Sequence, residues 1–225
     1  MKRLSAILIL VPAILLAGCA RTPSGFTPTT IREMSFTIDF DGPISDDYFY
    51  YVAIDTNGGD DGPVPVFPGL GIVGEGWVTG SADYFIQYRA RQYTVNRITS
   101  LDPLRSEPIG PPIRSTAPEI GGTTLSFTID LNEIGATGPS VDINIISVSD
   151  PNDADRVIDG LGLGGTQFLG EVNITQDRTF TNEEDSTQPE TAADVLNKNQ
   201  QIIDPQPTPQ TSPLDITDWS ITTDV

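Results

Sequence analysis

Four oxygen-bearing side chains crowd one glycine-rich turn, "DTNGGDDG" (55–62): Asp55, Asn57, Asp60 and Asp61. Carboxylate and amide oxygens on such a turn suit Ca2+, which takes about six to eight of them. The turn is not an EF-hand, because Asp60 stands where that loop needs glycine and Val66 where it needs glutamate. "DPNDADR" repeats the style with Asp150, Asn152, Asp153 and Asp155, and there Arg156 offers internal neutralisation. At both places the alternative is a solvated Asx turn, since Asp, Asn and Gly supply turn conformations without any ion. A second chemistry is stacking. Trp77 lies near Tyr84 and Tyr88 in sequence, and an exposed ring beside amides and carboxylates grips a sugar. The alternative is that Trp77 plugs the core, where tryptophan is mostly found.

The absences narrow the chemistry further. There is no histidine, so no Ser-His-Asp or Cys-His nucleophile, no HExxH zinc site and no histidine-ligated haem. The one cysteine, Cys19, allows no disulfide within the chain and no cysteine-ligated cluster. Lys198 is the only lysine after Lys2, which argues against Schiff-base and P-loop mechanisms. Glycoside hydrolysis needs two facing carboxylates. Glu75, Glu119, Glu133 and Glu171 qualify by type, but no spacing pairs them. The expectation is a non-catalytic protein.

Cys19 has a particular setting. Lys2 and Arg3 precede an apolar run, Leu4 to Leu16, and the small pair Ala17-Gly18. That is the layout of a signal peptide. The run is shorter than the roughly 20 residues a spanning helix needs, and Pro12 interrupts it. Leu16-Ala17-Gly18-Cys19 resembles the lipobox of bacterial lipoproteins. The resemblance implies removal of residues 1–18, a diacylglyceryl group on the Cys19 thiol and an acylated new amino terminus; two or more chains anchor a protein firmly. Ala20 in place of Asp implies an outer-membrane or cell-surface destination in a two-membraned bacterium. The chain from Cys19 onward carries ten basic against 31 acidic residues, a net charge of −21. Such a surface excludes nucleic acid as a partner.

The elements that must position these residues read as strands. "SFTIDF" (35–40) alternates, with Phe36, Ile38 and Phe40 on one face. "YFYYVAI" (48–54) is apolar on both faces, as in a strand buried between two layers. "DYFIQYRA" (83–90) and "YTVNRI" (93–98) form a hairpin turning at 91–92. "TLSFTIDL" (124–131), "VDINIISV" (141–148), "FLGEVNI" (168–174) and "LDITDWSI" (214–221) complete the set. No segment sustains a helical apolar period, so the expected fold is all-β: an antiparallel β-sandwich of jelly-roll or immunoglobulin-like layering, with long Gly/Pro-rich loops and little helix. "SFTID" occurs at 35–39 and at 126–130, read as two strands of the same pattern rather than a duplication. Residues 58–76 and the proline-rich 102–122 read as long loops. The division is a lipidated tether (19–33), a sandwich domain (34–181), a Pro/Gln/Thr-rich linker (182–213) and a C-terminal strand (214–225) docking on the sandwich edge.

"YFYYVAIDTNGG", "GWVTGSADYFIQY", "LSFTIDLNEIG" and "VDINIISVSD", over residues 34–175, resemble bacterial CBM9-like and DOMON-like β-sandwich domains. That resemblance implies binding of a sugar, haem or another small ligand. Haem does not suit a chain whose only methionine after cleavage is Met34 and which has no histidine. The expected function is therefore a lipid-anchored, ligand-binding envelope protein, with carbohydrate as ligand and Ca2+ as a structural aid. The alternative is a structural envelope lipoprotein with a protein partner.

Overall fold

A computed structural model of the chain describes residues 31–58, 62–66, 76–152, 158–161, 170–181 and 212–225. The lipobox and residues 182–211 of the linker lie outside the described residues; the linker's last two residues open a 3-10 turn, Ser212–Leu214. Ile31–Val225 forms one compact unit. The architecture is an antiparallel β-sandwich. One sheet has five strands in the order β13 (Arg178–Thr181), β14 (Ile216–Asp224), β1 (Glu33–Phe40), β9 (Thr124–Asp130) and β8 (Arg114–Thr116). The other runs β11 (Ile158–Gly160), β10 (Ser140–Val148), β2 (Phe49–Asp55), β5 (Tyr84–Arg89), β6 (Gln92–Leu101) and β7 (Leu104–Gly110), with β12 (Gly170–Asn173) sharing β10's free side. A small pair, β3 (Pro63–Pro65) and β4 (Val78–Gly80), stands apart.

Period-two alternation builds the core. Met34, Phe36, Ile38 and Phe40 of β1 face Tyr50, Val52 and Ile54 of β2 and Val141, Ile143 and Ile145 of β10, all within one buried cluster. The Phe36 and Phe127 rings stack at 4.9 Å between adjacent strands. Arg32 pins the entry of the chain by donating to the Ala136 and Ile174 carbonyls, both at 2.8 Å.

Three expectations are revised. Residues 102–122 are not a plain loop, for they hold β7 and β8. Both are edge strands, where a proline's missing N–H need cost no ladder bond, so Pro108 is tolerated. The C-terminal strand docks, but not at the edge: β14 is inserted between β1 and β13. The hairpin turns at Ala90 and Arg91, both at positive φ (48° and 64°), one residue earlier than read.

Candidate functional site

The two sheets present their outer faces differently. On the seven-stranded sheet the outward residues Phe49, Tyr51, Phe85, Ile146 and Val148 are apolar and buried together with Trp77, Val78 and Ala82. Trp77 stacks on Tyr51 with centroids 3.7 Å apart and planes 3° from parallel, and its edge meets Phe85. The Asn144 side chain ties the cover down: Nδ2 donates to the Pro63 carbonyl (2.9 Å) and Oδ1 accepts from the Leu161 N–H. Trp77 is 3% exposed and Tyr88 2%. Tyr88 and the half-buried Tyr84 pack on the inner side of the sheet that Trp77 covers from outside. The three therefore share no surface, and of the two roles open to Trp77 the structure places it in the core. No aromatic ring among the described residues is fully exposed.

The described parts of the acidic turns are hydrogen-bonded internally. Asp55 Oδ1 accepts from the Asn57 N–H at 3.0 Å, and Asp83 Oδ2 accepts from the Thr56 N–H, the Thr56 hydroxyl and Asn57 Nδ2. Asp150 Oδ1 accepts from the Asn152 N–H at 2.9 Å, an Asx turn. Asp55 and Asp150 follow opposite ends of the β2–β10 ladder and are not brought together. Among the described residues no three acidic side chains come together to hold a metal ion. Asp60, Asp61, Asp153 and Asp155 lie outside the described residues. Of the candidate glutamates, Glu171 accepts a hydrogen bond from the Ser140 hydroxyl, Glu119 and Glu133 are exposed, and Glu75 falls outside the described residues.

The five-stranded sheet is the opposite case. Its inward residues are mainly apolar, with Thr223 a buried polar exception, and its outward ones carry hydroxyls or charges. Strand register sets these in two rows at right angles to the strands. One row is Thr181, Ser220, Thr37, Ser126 and Thr116, each beside the next on a neighbouring strand. The second is Thr179, Thr222, Ser35 and Thr128, ending in Arg114. The second row bonds to itself: Ser35 to Thr128 at 2.9 Å and Thr179 to Thr222 at 3.0 Å. In the first row Thr181, Thr37, Ser126 and Thr116 are exposed and Ser220 half-buried. Carboxylates border both rows: Asp218 and Asp39 on one side, Asp224, Glu33 and Asp130 on the other. Arg114 bridges to Glu33, and the Thr124 hydroxyl donates to Asp39.

Each hydroxyl can donate one hydrogen bond and accept two. The first row thus forms an uncharged, exposed line of donors and acceptors, held by backbone ladders, on an otherwise acidic molecule. Sequence reasoning missed it. The signal was a Ser or Thr at alternate outward positions of "SFTID" in β1 and again in β9, strands the fold makes neighbours.

No family model, curated protein or solved structure matches the chain.

Proposed function

We propose that this chain is a lipid-anchored protein of the cell envelope whose sandwich is a non-catalytic binding module, with carbohydrate as its ligand class and the bare face of the five-stranded sheet as its site. The observation that carries the reading is the contrast between the faces. One outer face is closed by aromatic packing, while the other offers in-register hydroxyls that hydrogen-bond to polyols. Threonine methyls add apolar contact for sugar ring faces, without the stacking an exposed aromatic would supply. Binding per sugar is then weak and gains from many copies displayed on one membrane. The leader and Leu16-Ala17-Gly18-Cys19 support the anchor.

The test has two parts. Cys19→Ser is expected to abolish incorporation of labelled fatty acid and release the chain from membranes; unchanged labelling would remove the anchor from the reading. The purified chain, tested against a panel of neutral and anionic polysaccharides with Ca2+ and then with chelator, is expected to bind saturably and to lose binding on Thr37→Arg. Loss with chelator would give the Asp55–Asp61 turn a role for Ca2+. A blank panel would sink carbohydrate as the ligand.

A protein partner is the second reading, favoured by one observation. Three of the four large apolar side chains exposed among the described residues, Ile109, Ile113 and Ile120, fall on or beside β7 and β8. The three are close in sequence, and exposed apolar side chains that adjoin one another mark contact surfaces. A cross-linker at Ile120 yielding one discrete adduct in cells, beside a blank polysaccharide panel, would decide for it.

A further inference from the structure

We infer that the ligand of the bare face is an uncharged, extended chain lying across the strands, along the row Thr181–Ser220–Thr37–Ser126–Thr116; this rests on the binding function proposed above. Neighbouring strands lie ~4.8 Å apart, close to the length of one pyranose ring in an extended polysaccharide. A chain laid across the sheet thus meets one hydroxyl side chain per sugar, over a track of about 19 Å for four strand spacings. Along a strand the match fails. Hydroxyl positions there recur only every ~6.7 Å, and after two of them β1 runs into Asp39 at one end and Glu33 at the other.

The borders also select charge. Asp39 and Asp218 flank the row directly, one outward position from Thr37 and Ser220. That is ~6.7 Å away, within the Debye length of about 8 Å at physiological salt. A uronate or sulfated chain on the row would meet those charges only partly screened, and the net −21 of the molecule behind them. The row is also the more exposed of the two, since Thr181, Thr37, Ser126 and Thr116 are exposed, whereas in the second row Thr128 is buried and Ser35 half-buried. Both row ends lie on edge strands, β13 and β8, and among the described residues no further strand pairs beyond Thr181 or Thr116.

The experiment is calorimetric titration of the full chain in detergent micelles with linear neutral oligosaccharides, cello- and manno-oligomers from dimer to octamer, and with oligogalacturonates. Affinity is expected to climb with each sugar up to about the number of strands and then level off, with no oligogalacturonate binding. Thr181→Arg and Thr116→Arg, on exposed edge positions, are each expected to weaken the hexamer roughly tenfold, about 1.4 kcal/mol, and to weaken the dimer, which can occupy the rest of the row, by less. Urea unfolding of each variant checks that the fold is intact. Binding abolished by Thr37→Arg yet indifferent to both end variants would overturn the crosswise track while keeping the face as the site. Tighter binding of oligogalacturonates than of neutral chains would overturn the charge selection. If no neutral oligomer binds, the function proposed above fails with it, and that outcome is read before any variant is made.

Discussion

The two outer faces of this sandwich are built from the same kind of strand and end in opposite states. β2 is apolar up to Asp55, β10 mixes apolar residues with Ser140, Asp142, Asn144 and Ser147, and every residue of both is buried. Their outward side chains required a cover, which Trp77, β3 and β4 provide. β1 and β9 alternate instead, so one face satisfies the core and the other is already content in water. Stability and surface chemistry are thereby separated: the covered face binds the fold together, and the bare face is free to vary or to bind. Trp77→Ala tests the first half. Removing a ring stacked on Tyr51 and edged by Phe85 is expected to cost about 3–5 kcal/mol, measured by urea unfolding. Gly80→Ala acts on the same cover, since its Cβ would lie 2.4 Å from the Gly62 carbonyl oxygen at a φ of +80°. A loss under about 1 kcal/mol for Trp77→Ala would mean that the cover is incidental.

The bare face depends on how β14 is seated, because Ser220 and Thr222 belong to it. Asp159, on the edge strand β11 of the other sheet, holds the start of β14: Oδ2 accepts from the Ile216 N–H (2.9 Å) and Oδ1 from its own neighbour Gly160 (2.8 Å). The residue keeps some exposed surface, yet burial of its carboxyl raises the pKa to about 7, against the lowering by those two N–H groups, and Asp215 adds to the rise. A carboxyl whose pKa is raised by folding holds its proton more tightly in the folded state. Its contribution is therefore greatest below pH ~4 and is lost as pH rises to about 7, with no further change above. The loss amounts to at most about 4 kcal/mol. Unfolding free energies from pH 4 to 8 are expected to fall more steeply in the wild type than in Asp159→Asn. Parallel slopes would show that folding does not raise this carboxyl's pKa.

Much of this was legible from the chain. Alternation and apolar runs located β1, β2, β5, β6, β9, β10, β12 and β14 and the antiparallel sandwich, because these patterns survive whatever the partner is. Edge strands β7 and β8 escaped because their prolines read as loop signals, although an edge tolerates them. Trp77 was undecidable locally: its stacking partner Tyr51 sits 26 positions earlier on another element. The hydroxyl rows needed register. Ser35 and Thr37 are visible in "SFTID", but only the pairing of β1 with β9 and β14 sets Thr37 beside Ser126 and Ser220.

The covered sheet also keeps a local cost. Ala90 and Arg91 both occupy the left-handed region in the β5–β6 turn (φ 48° and 64°), which disfavours residues other than Gly, Asn and Asp. Arg91 is held there by a hydrogen bond from Nη2 to the Pro118 carbonyl at 3.1 Å. Ala90→Asn, which suits the turn and leaves that bond alone, is expected to stabilise by about 0.5–1 kcal/mol. A loss of stability would mean that the turn is not the two-residue type its dihedrals describe.

The smallest expected effect on stability is the sharpest test of the comparison. Thr37→Val removes one hydroxyl from the centre of the open row and keeps the side chain's shape and its strand preference. Nothing packs over Thr37, which is exposed between Ser220 and Ser126. The unfolding free energy is thus expected to move by no more than about 0.5 kcal/mol. Binding of a neutral oligosaccharide is expected to fall several-fold, since the chain loses a donor and acceptor at the middle of its track, at a cost of about 1 kcal/mol for a typical hydrogen bond. On the covered face the same kind of loss would show in stability first. If Thr37→Val leaves binding untouched while Ser126→Ala also does, the hydroxyls are only a soluble coat on a strand face, and the two outer faces differ in exposure without differing in purpose.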